Sequence, residues 1–387
     1  MAVFKYEVKK LLSSISIWGL LLFFLIFNLF LVWGTQWNVY PEFVSEVAET
    51  TGIVLGDNFS ERLDTLSVSS DERELLDFLK EDTIGAVDHF DDYDITEVGE
   101  TYIRYLNQVY SNQLSDTLSN NIRNKYSDMQ KVVNQKGEAD EALSLGHASA
   151  TNTMHENLFD TILGWLMVEG MILVVLIALL SAGFEKGNET EGIVFTTQAG
   201  RNVQINKLAA SVVIGLGAYL LLTIITLLIY FTVHDYSPLW QSYVSNIFNY
   251  RNDIIGGYRP FVTWQSHTVL TYLLSKIGIT LGLLISFILS AFIVEMTIRN
   301  SYISFFVILI INGLFVVLPM AISAGTFGFY LMLSPAWLAL KHSIWFTDGD
   351  VDILWRNFEM VGTTFSLLLV TLGAGVTYYR FKRRDLS

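Results

Sequence analysis

The sequence predicts an all-α polytopic membrane protein: six transmembrane helices, with a large, mainly helical extracytoplasmic insertion between the first and second. Three observations carry this. Hydrophobic residues make up 52% of the 387-residue chain and charged residues only 16%, a balance foreign to soluble proteins. The apolar residues gather into six windows, about 15–34, 161–183, 208–232, 269–294, 302–324 and 359–379, each near the ~20 residues needed to cross hydrocarbon. The charge is also segregated. The segment from Trp37 to Asn157 has a net charge of −16 against −14 for the whole chain, so everything else sums to +2.

The chain opens with FKYEVKKLL, from Phe4 to Leu12, followed by the first window. Lys5, Lys9 and Lys10 give this stretch the positive flank of a signal peptide. The window nevertheless ends in VWGTQW with no small-residue cleavage site, which predicts an uncleaved anchor. Residues 1–35 therefore form an entry helix and first span, with the N-terminus in the cytoplasm. Six crossings return the C-terminus to that side, where Arg380, Lys382, Arg383 and Arg384 agree with the same rule. The expected location is a bacterial cell membrane, multi-pass, with both termini cytoplasmic and residues 36–158 outside. An acidic segment exported away from an anionic inner leaflet fits this orientation and argues against nucleic acid as a partner.

Residues 36–158 form an acidic extracytoplasmic domain. Ser69 stands three residues before Glu72 as in a capping box, with Leu75, Leu76 and Leu79 behind it. From Tyr102 to Val133 apolar residues recur every three to five positions, a helical stripe. The domain is expected to hold a small core of its own and to serve recognition, gating or docking. With no cysteine in the chain it contains no disulfide, and thiolate zinc sites are excluded. Asp88, Asp91, Asp92 and Asp94 are candidate oxygen ligands for a cation. They lack the twelve-residue loop of a calcium site, and a solvated acidic loop is the simpler reading.

Residues 159–387 supply the other five spans. The connection 185–207, GFEKGNETEG and onwards, is too polar for hydrocarbon and too short for a domain. It reads as a short interfacial helix with Ile193, Val194 and Val203 turned towards the membrane or bundle. Here the chain resembles the membrane subunits of ATP-binding-cassette transporters of the ABC-2 type. The resemblance rests on Glu185, Gly192, Ile193 with Val194, Thr196 with Thr197, Arg201 and Lys207, on the FKRRDL tail, and on the amphipathic FKYEVKKLL. The chain departs from the family in Glu191, where many members have Gly followed by Thr, and in its large first outer loop. The resemblance implies that Glu185, Gly192, Arg201 and Lys207 couple the bundle to cytoplasmic ABC ATPase subunits. It implies a second permease subunit, identical or sibling, with ATP and Mg2+ held by the partner ATPase and no cofactor bound by this chain. Snorkelling of Arg201 and Lys207 at the headgroups is the alternative.

In the connection between the third and fourth spans, Pro238, Trp240, Tyr243, Tyr250, Tyr258 and Trp264 suit an aromatic belt. The other reading is an outer vestibule in which Tyr250, Arg251 and Arg259 contact an anion. Residues 329–346 are apolar but too short to cross, and predict a re-entrant or interfacial helical pair broken at Ser334 and Pro335. Glu169 and Lys276 fall inside spans. Each is costly there unless paired, wet or snorkelling; a structural or snorkelling role, including mutual neutralisation across the bundle, is the first expectation, and lining a polar substrate path is the second.

No phosphate loop ending in Gly-Lys-Ser or Gly-Lys-Thr occurs, so this chain is not expected to hydrolyse ATP itself. The histidines at 147, 155, 234, 267 and 342 form no HExxH pair. The expected function is a permease, an exporter working as a dimer around a central path. A membrane sensor or scaffold that binds a peptide through its outer domain is the alternative.

Overall fold

The computed structural model describes residues 2–35, 41–55, 58–70, 72–86, 93–109, 114–139, 141–145, 150–196, 200–246, 249–253, 255–321 and 326–383. The chain is mostly helical. A surface helix α1 (Ala2–Leu12) leads into α2 (Ile15–Gly34), the first of six helices long and apolar enough to cross a membrane. The first connection then contains α3 (Pro41–Thr51), α4 (Phe59–Leu63), α5 (Glu72–Ala86), α6 (Thr96–Val109), α7 (Asp116–Glu138) and α8 (Ala150–Glu156). A six-residue π-helical stretch, Asn157–Ile162, joins α8 to α9 (Leu163–Gly187). After α9 come α10 (Glu191–Thr196), α11 (Val203–Val233), α12 (Val269–Ile298), α13 (Ser301–Ala321), α14 (Thr326–Leu331), α15 (Pro335–Leu340) and α16 (Phe358–Arg383). The spans are α2, α9 with its leading turns, α11, α12, α13 and α16. The chain is a multi-pass membrane protein by the length and composition of these helices.

The centre of the bundle is α9, packed between α11 and α12, with α2 against α11 and α16 against α12. Its residues Leu166, Leu173, Val174 and Ile177 are fully buried. The peripheral span is α13, which leaves Phe306, Leu309 and Ile310 exposed, as lipid contact allows.

The prediction of an all-α chain needs one correction. Between α11 and α12 lies an antiparallel hairpin of β1 (Tyr250–Asp253) and β2 (Gly257–Pro260), with Arg251 opposite Arg259. Its turn is built by Asp253, whose Oδ1 accepts the amides of Ile255 and Gly256 at 3.0 Å each, and by Gly257 at φ +73°. Aspartate and glycine are the residues such turns require.

The first connection is joined to the rest by one continuous hydrophobic core, in which Leu63, Tyr102 and Met129 belong to the same cluster as Leu166 and Trp345. The Ser69–Glu72 box is closed in both directions: the Ser69 amide donates to Glu72 at 3.0 Å and the Glu72 amide to Ser69 Oγ at 3.4 Å. Polar links tie the connection to the same end of the bundle. The Ser242 hydroxyl donates to Leu145 O at 2.6 Å, Tyr230 to Met154 O at 2.9 Å, and Lys136 to Gln265 O at 3.3 Å. At 334–335, α14 gives way to α15: Ser334 caps α15 by accepting the Trp337 amide at 3.4 Å, and Pro335 takes the first helical position.

Candidate functional site

The 185–207 connection, at the end of the bundle opposite the first connection, is organised by buried charge. Glu185 lies in the last turn of α9 and is 6% exposed; Lys207, one turn into α11, is wholly buried. Their side chains form an ion pair, and Lys10 of α1 stands 3.6 Å from the other Glu185 oxygen while pairing with Glu7. Three helices are thus pinned at one point. Next to it, Glu191 at the start of α10 pairs with Arg299, the left-handed residue that ends α12. Arg201 donates to the carbonyls of Phe381, at 3.2 Å, and Lys382, at the end of α16. Its guanidinium also stands 5.9 Å from the Phe381 ring centre. A cation there satisfies carbonyls that the helix leaves open.

Glu185 and Lys207 are thus buried rather than at the surface, whereas Arg201 is partly exposed. Opposite charges at the feet of adjacent helices are cheaper to bury together than to leave apart, so Glu185 and Lys207 turn inward. Arg201 meets helix-end carbonyls. Gly192 is exposed, and a Cβ there would meet nothing within 4 Å. Val203 is buried as expected, but Ile193 is 71% exposed. Ile193 therefore turns away from the bundle on α10, which leaves the membrane-facing alternative of its expected orientation.

Within the spans, the structure separates Glu169 from Lys276 rather than pairing them. Glu169 accepts the Asn28 amide at 2.8 Å, and the same nitrogen donates to Thr226 at 3.2 Å, so α2, α9 and α11 meet there. Lys276 instead donates to the carbonyl of Phe159 at 3.0 Å and lies 3.5 Å from Asp160. Both residues belong to the π-helical stretch, whose shifted ladder leaves carbonyls for side chains. His342 takes the adjacent one, Asp160 O, at 3.0 Å.

At the other end of the bundle, Arg251 and Arg259 are engaged by an internal network, although Arg251 Nε and Arg259 Nε and Nη1 are buried without a hydrogen-bond partner. Arg259 Nη2, with two hydrogens to share, lies 2.8 Å from Asp348, 3.0 Å from Asp253, 3.1 Å from the Tyr102 hydroxyl and 3.2 Å from Gly349 O. Arg251 donates to Thr347 at 2.9 Å and lies 3.4 Å from both Asp348 and Asp253. From α7, Tyr126 donates to Asp348 at 2.8 Å, and Lys125 donates to the carbonyls of Asp348 and Ile353 at 2.6 and 2.7 Å. Burial alone would raise the Asp348 carboxyl, but Arg251, Arg259 and Lys125 hold it well below the usual range. Burial pushes the Lys125 ammonium down to about 8, against the pull of Asp348. Burial likewise pushes the Tyr102 and Tyr126 hydroxyls up, so both stay protonated donors. The network bolts α6 and α7 to the hairpin and to the loop before α16. Tyr250 stands outside it, half-buried, lining a cavity of about 180 Å³ with Arg251, His155, Glu156 and Tyr272.

Of the aspartate cluster, Asp88, Asp91 and Asp92 lie outside the described residues. Asp94 caps α6, accepting the Thr96 amide at 2.9 Å. Among the described residues no group of three or more histidines or carboxylates is placed to hold a metal.

Asn28, Lys125, Tyr126, Asp160, Asp253, Arg299 and Asp348 are among the participants the sequence did not single out. A lone asparagine in an apolar window was the available signal for the first. Compared with family models, curated proteins and solved structures, the chain finds no match.

Proposed function

We propose that the chain is the membrane-spanning permease subunit of an ATP-driven transporter of the ABC-2 type, an exporter that works as a dimer with an identical or sibling subunit. Two cytoplasmic ATPase subunits bind ATP and Mg2+. The membrane is a bacterial cell membrane, with both termini and the 185–207 connection in the cytoplasm and residues 36–158 outside.

The observation that carries this reading is the wiring of α10. A short helix presents Ile193 outward, while Glu191 ties it to Arg299 at the end of α12 and the flanking Glu185 ties it to Lys207 and Lys10. A partner that tilts α10 therefore moves α1, α11 and α12 together, which is what a rigid handle must do. Glu185, Lys207 and Arg201 transmit that motion from inside, and Ile193 with the exposed turn before it meets the ATPase. The test is to co-purify the chain with the ATPase encoded beside it, with wild type and Ile193→Asp compared in lipid discs. The expected result is normal folding with at least tenfold weaker capture. Unchanged capture and ATP turnover would remove α10 as the handle.

One observation favours a sensor or scaffold instead. A cleft of about 620 Å³ between α7 and the loop before α16 is lined by Asn121, Asn124, Asp128, Trp264, Trp355 and Arg356, a mixture of rings and hydrogen-bonding groups suited to a peptide. That reading requires peptide binding without any ATPase in the purified complex.

A further inference from the structure

At the junction of α2, α9 and α11, two buried acceptor oxygens face the same polar pair without a hydrogen-bond partner. Asn28 is 1% exposed and Glu169 2%. One oxygen of the carboxyl accepts the Asn28 amide nitrogen at 2.8 Å. The other, Glu169 Oε1, and the remaining acceptor of the amide, Asn28 Oδ1, are both buried without a hydrogen-bond partner. The pair lies six residues from the end of α2 and six from the start of α9, about 9 Å down each helix.

An ionised carboxylate leaves two acceptor oxygens on neighbouring groups with nothing between them, a costly arrangement away from water. One added proton removes the fault. A carboxylic acid facing a primary amide makes a closed ring of two hydrogen bonds: the amide N–H donates to one carboxyl oxygen, which is already in place, and the acid O–H donates to the amide oxygen. Both unpartnered atoms are those the second bond joins.

Among the described residues the surroundings offer no other counter-charge. Among the described residues, α2 contributes no titratable side chain. From α11, Thr226 shares the Asn28 amide and Tyr219 packs where a Cβ on Gly170 would lie. Lys207, further along α11, is taken by Glu185, and His234 at its end contacts Thr35 at 3.1 Å. From α12, Lys276 is held by Phe159 and Asp160, and Glu295 accepts Ser301 at 3.2 Å. α13 carries no charged residue.

We propose that Glu169 and Asn28 form a proton-binding site within the bundle, in which the bound proton is the ligand that locks α2 to α9. Parting the two helices breaks the ring and exposes the acid to release its proton, so proton binding favours the packed arrangement. The inference needs only the three-helix junction, and stands or falls independently of the transporter reading.

The test is infrared spectroscopy of the full chain in lipid discs at pH 7, without and with sodium chloride. The difference between wild type and Glu169→Gln should show the loss of a carboxylic C=O band. Asn28→Leu should keep that band but shift it to higher frequency, because its hydrogen bonds are gone. Since the glutamine keeps the shape of the protonated acid, E169Q should melt near the wild-type temperature. Should E169Q fail to fold, the N28L spectrum decides alone: a shifted band supports the site and an unmoved one overturns it. A difference spectrum with only carboxylate bands at pH 7 overturns it as well. So does a carboxylate signal that responds to sodium at fixed pH, which would make the ligand a metal ion.

Discussion

Lys207 and Glu185 form an ion pair at the foot of the bundle with almost no solvent on either side chain. A buried pair adds little stability over apolar packing, but removing one member strands the other's charge. Glu185→Gln or Lys207→Met alone should therefore cost about 3–5 kcal/mol, and the double variant should recover most of it. Thermal melts in detergent of both singles and the double measure this. Additive losses in the double variant would mean that the two residues act separately.

Arg201 is a different case, because its partners are the open carbonyls of Phe381 and Lys382 at a partly exposed helix end. Arg201→Ala should cost only about 0–1 kcal/mol globally. The effect should instead appear as faster hydrogen exchange confined to the last turn of α16. Protection unchanged through Arg383 would show that the bonds contribute nothing to that end.

How much of this was legible in the sequence follows from range. The six spans were, since each is a local run of apolar residues. The start of the third was placed at 208 rather than Val203 because Gln204, Asn206 and Lys207 look like loop residues. They look otherwise only once Glu185 is seen to face Lys207. The Ser69–Glu72 box is a three-residue signal and was readable. Arg259 was not, because its partner Asp348 lies 89 residues away and nothing local marks either as buried. The hairpin had a signal in NDIIGG between two Tyr-Arg pairs, overlooked beside the stronger helical pattern. The placing of Lys276 beside Phe159 depended on a π-helical stretch that no spacing rule reveals.

The Asp348 network sets the acid limit of the docked first connection. Its carboxyl is depressed in the fold, so it contributes stability in full above the unfolded value near 4 and loses it as the pH falls below that. Asp348→Asn should remove the same contribution at neutral pH by leaving Arg251 and Arg259 short of charge, at about 3–5 kcal/mol. Limited proteolysis should then cut within residues 36–158 sooner than in wild type. Equal cutting rates would separate the network from docking. By the same reasoning the excised segment 36–158 should be less helical by circular dichroism than in the whole chain.

Lys125 gives a slope of the same sign in a more alkaline range. Its folded value of about 8 lies below the unfolded value near 10.4, so between these limits the unfolded chain binds more protons and stability rises with pH. The melting temperature of wild type relative to Lys125→Met should climb from pH 8 to about 10 and level off above it. A flat difference would place the ammonium in contact with water.

The two glycines beside the arginines test backbone strain against crowding. Gly257, at φ +73°, has nothing within 4 Å of a hypothetical Cβ, whereas Gly349, at φ +75°, would drive its Cβ to 2.6 Å from Ile353. Gly257→Ala should therefore cost only the left-handed penalty of about 1–2 kcal/mol. Gly349→Ala adds a clash worth about 1–3 kcal/mol. It also moves the carbonyl that Arg259 binds at 3.2 Å, so it should loosen the first connection as Asp348→Asn does. Melting temperatures and proteolysis of the two alanine variants settle the comparison. Equal losses would mean that Ile353 yields without cost and that the network does not depend on the position of the Gly349 carbonyl.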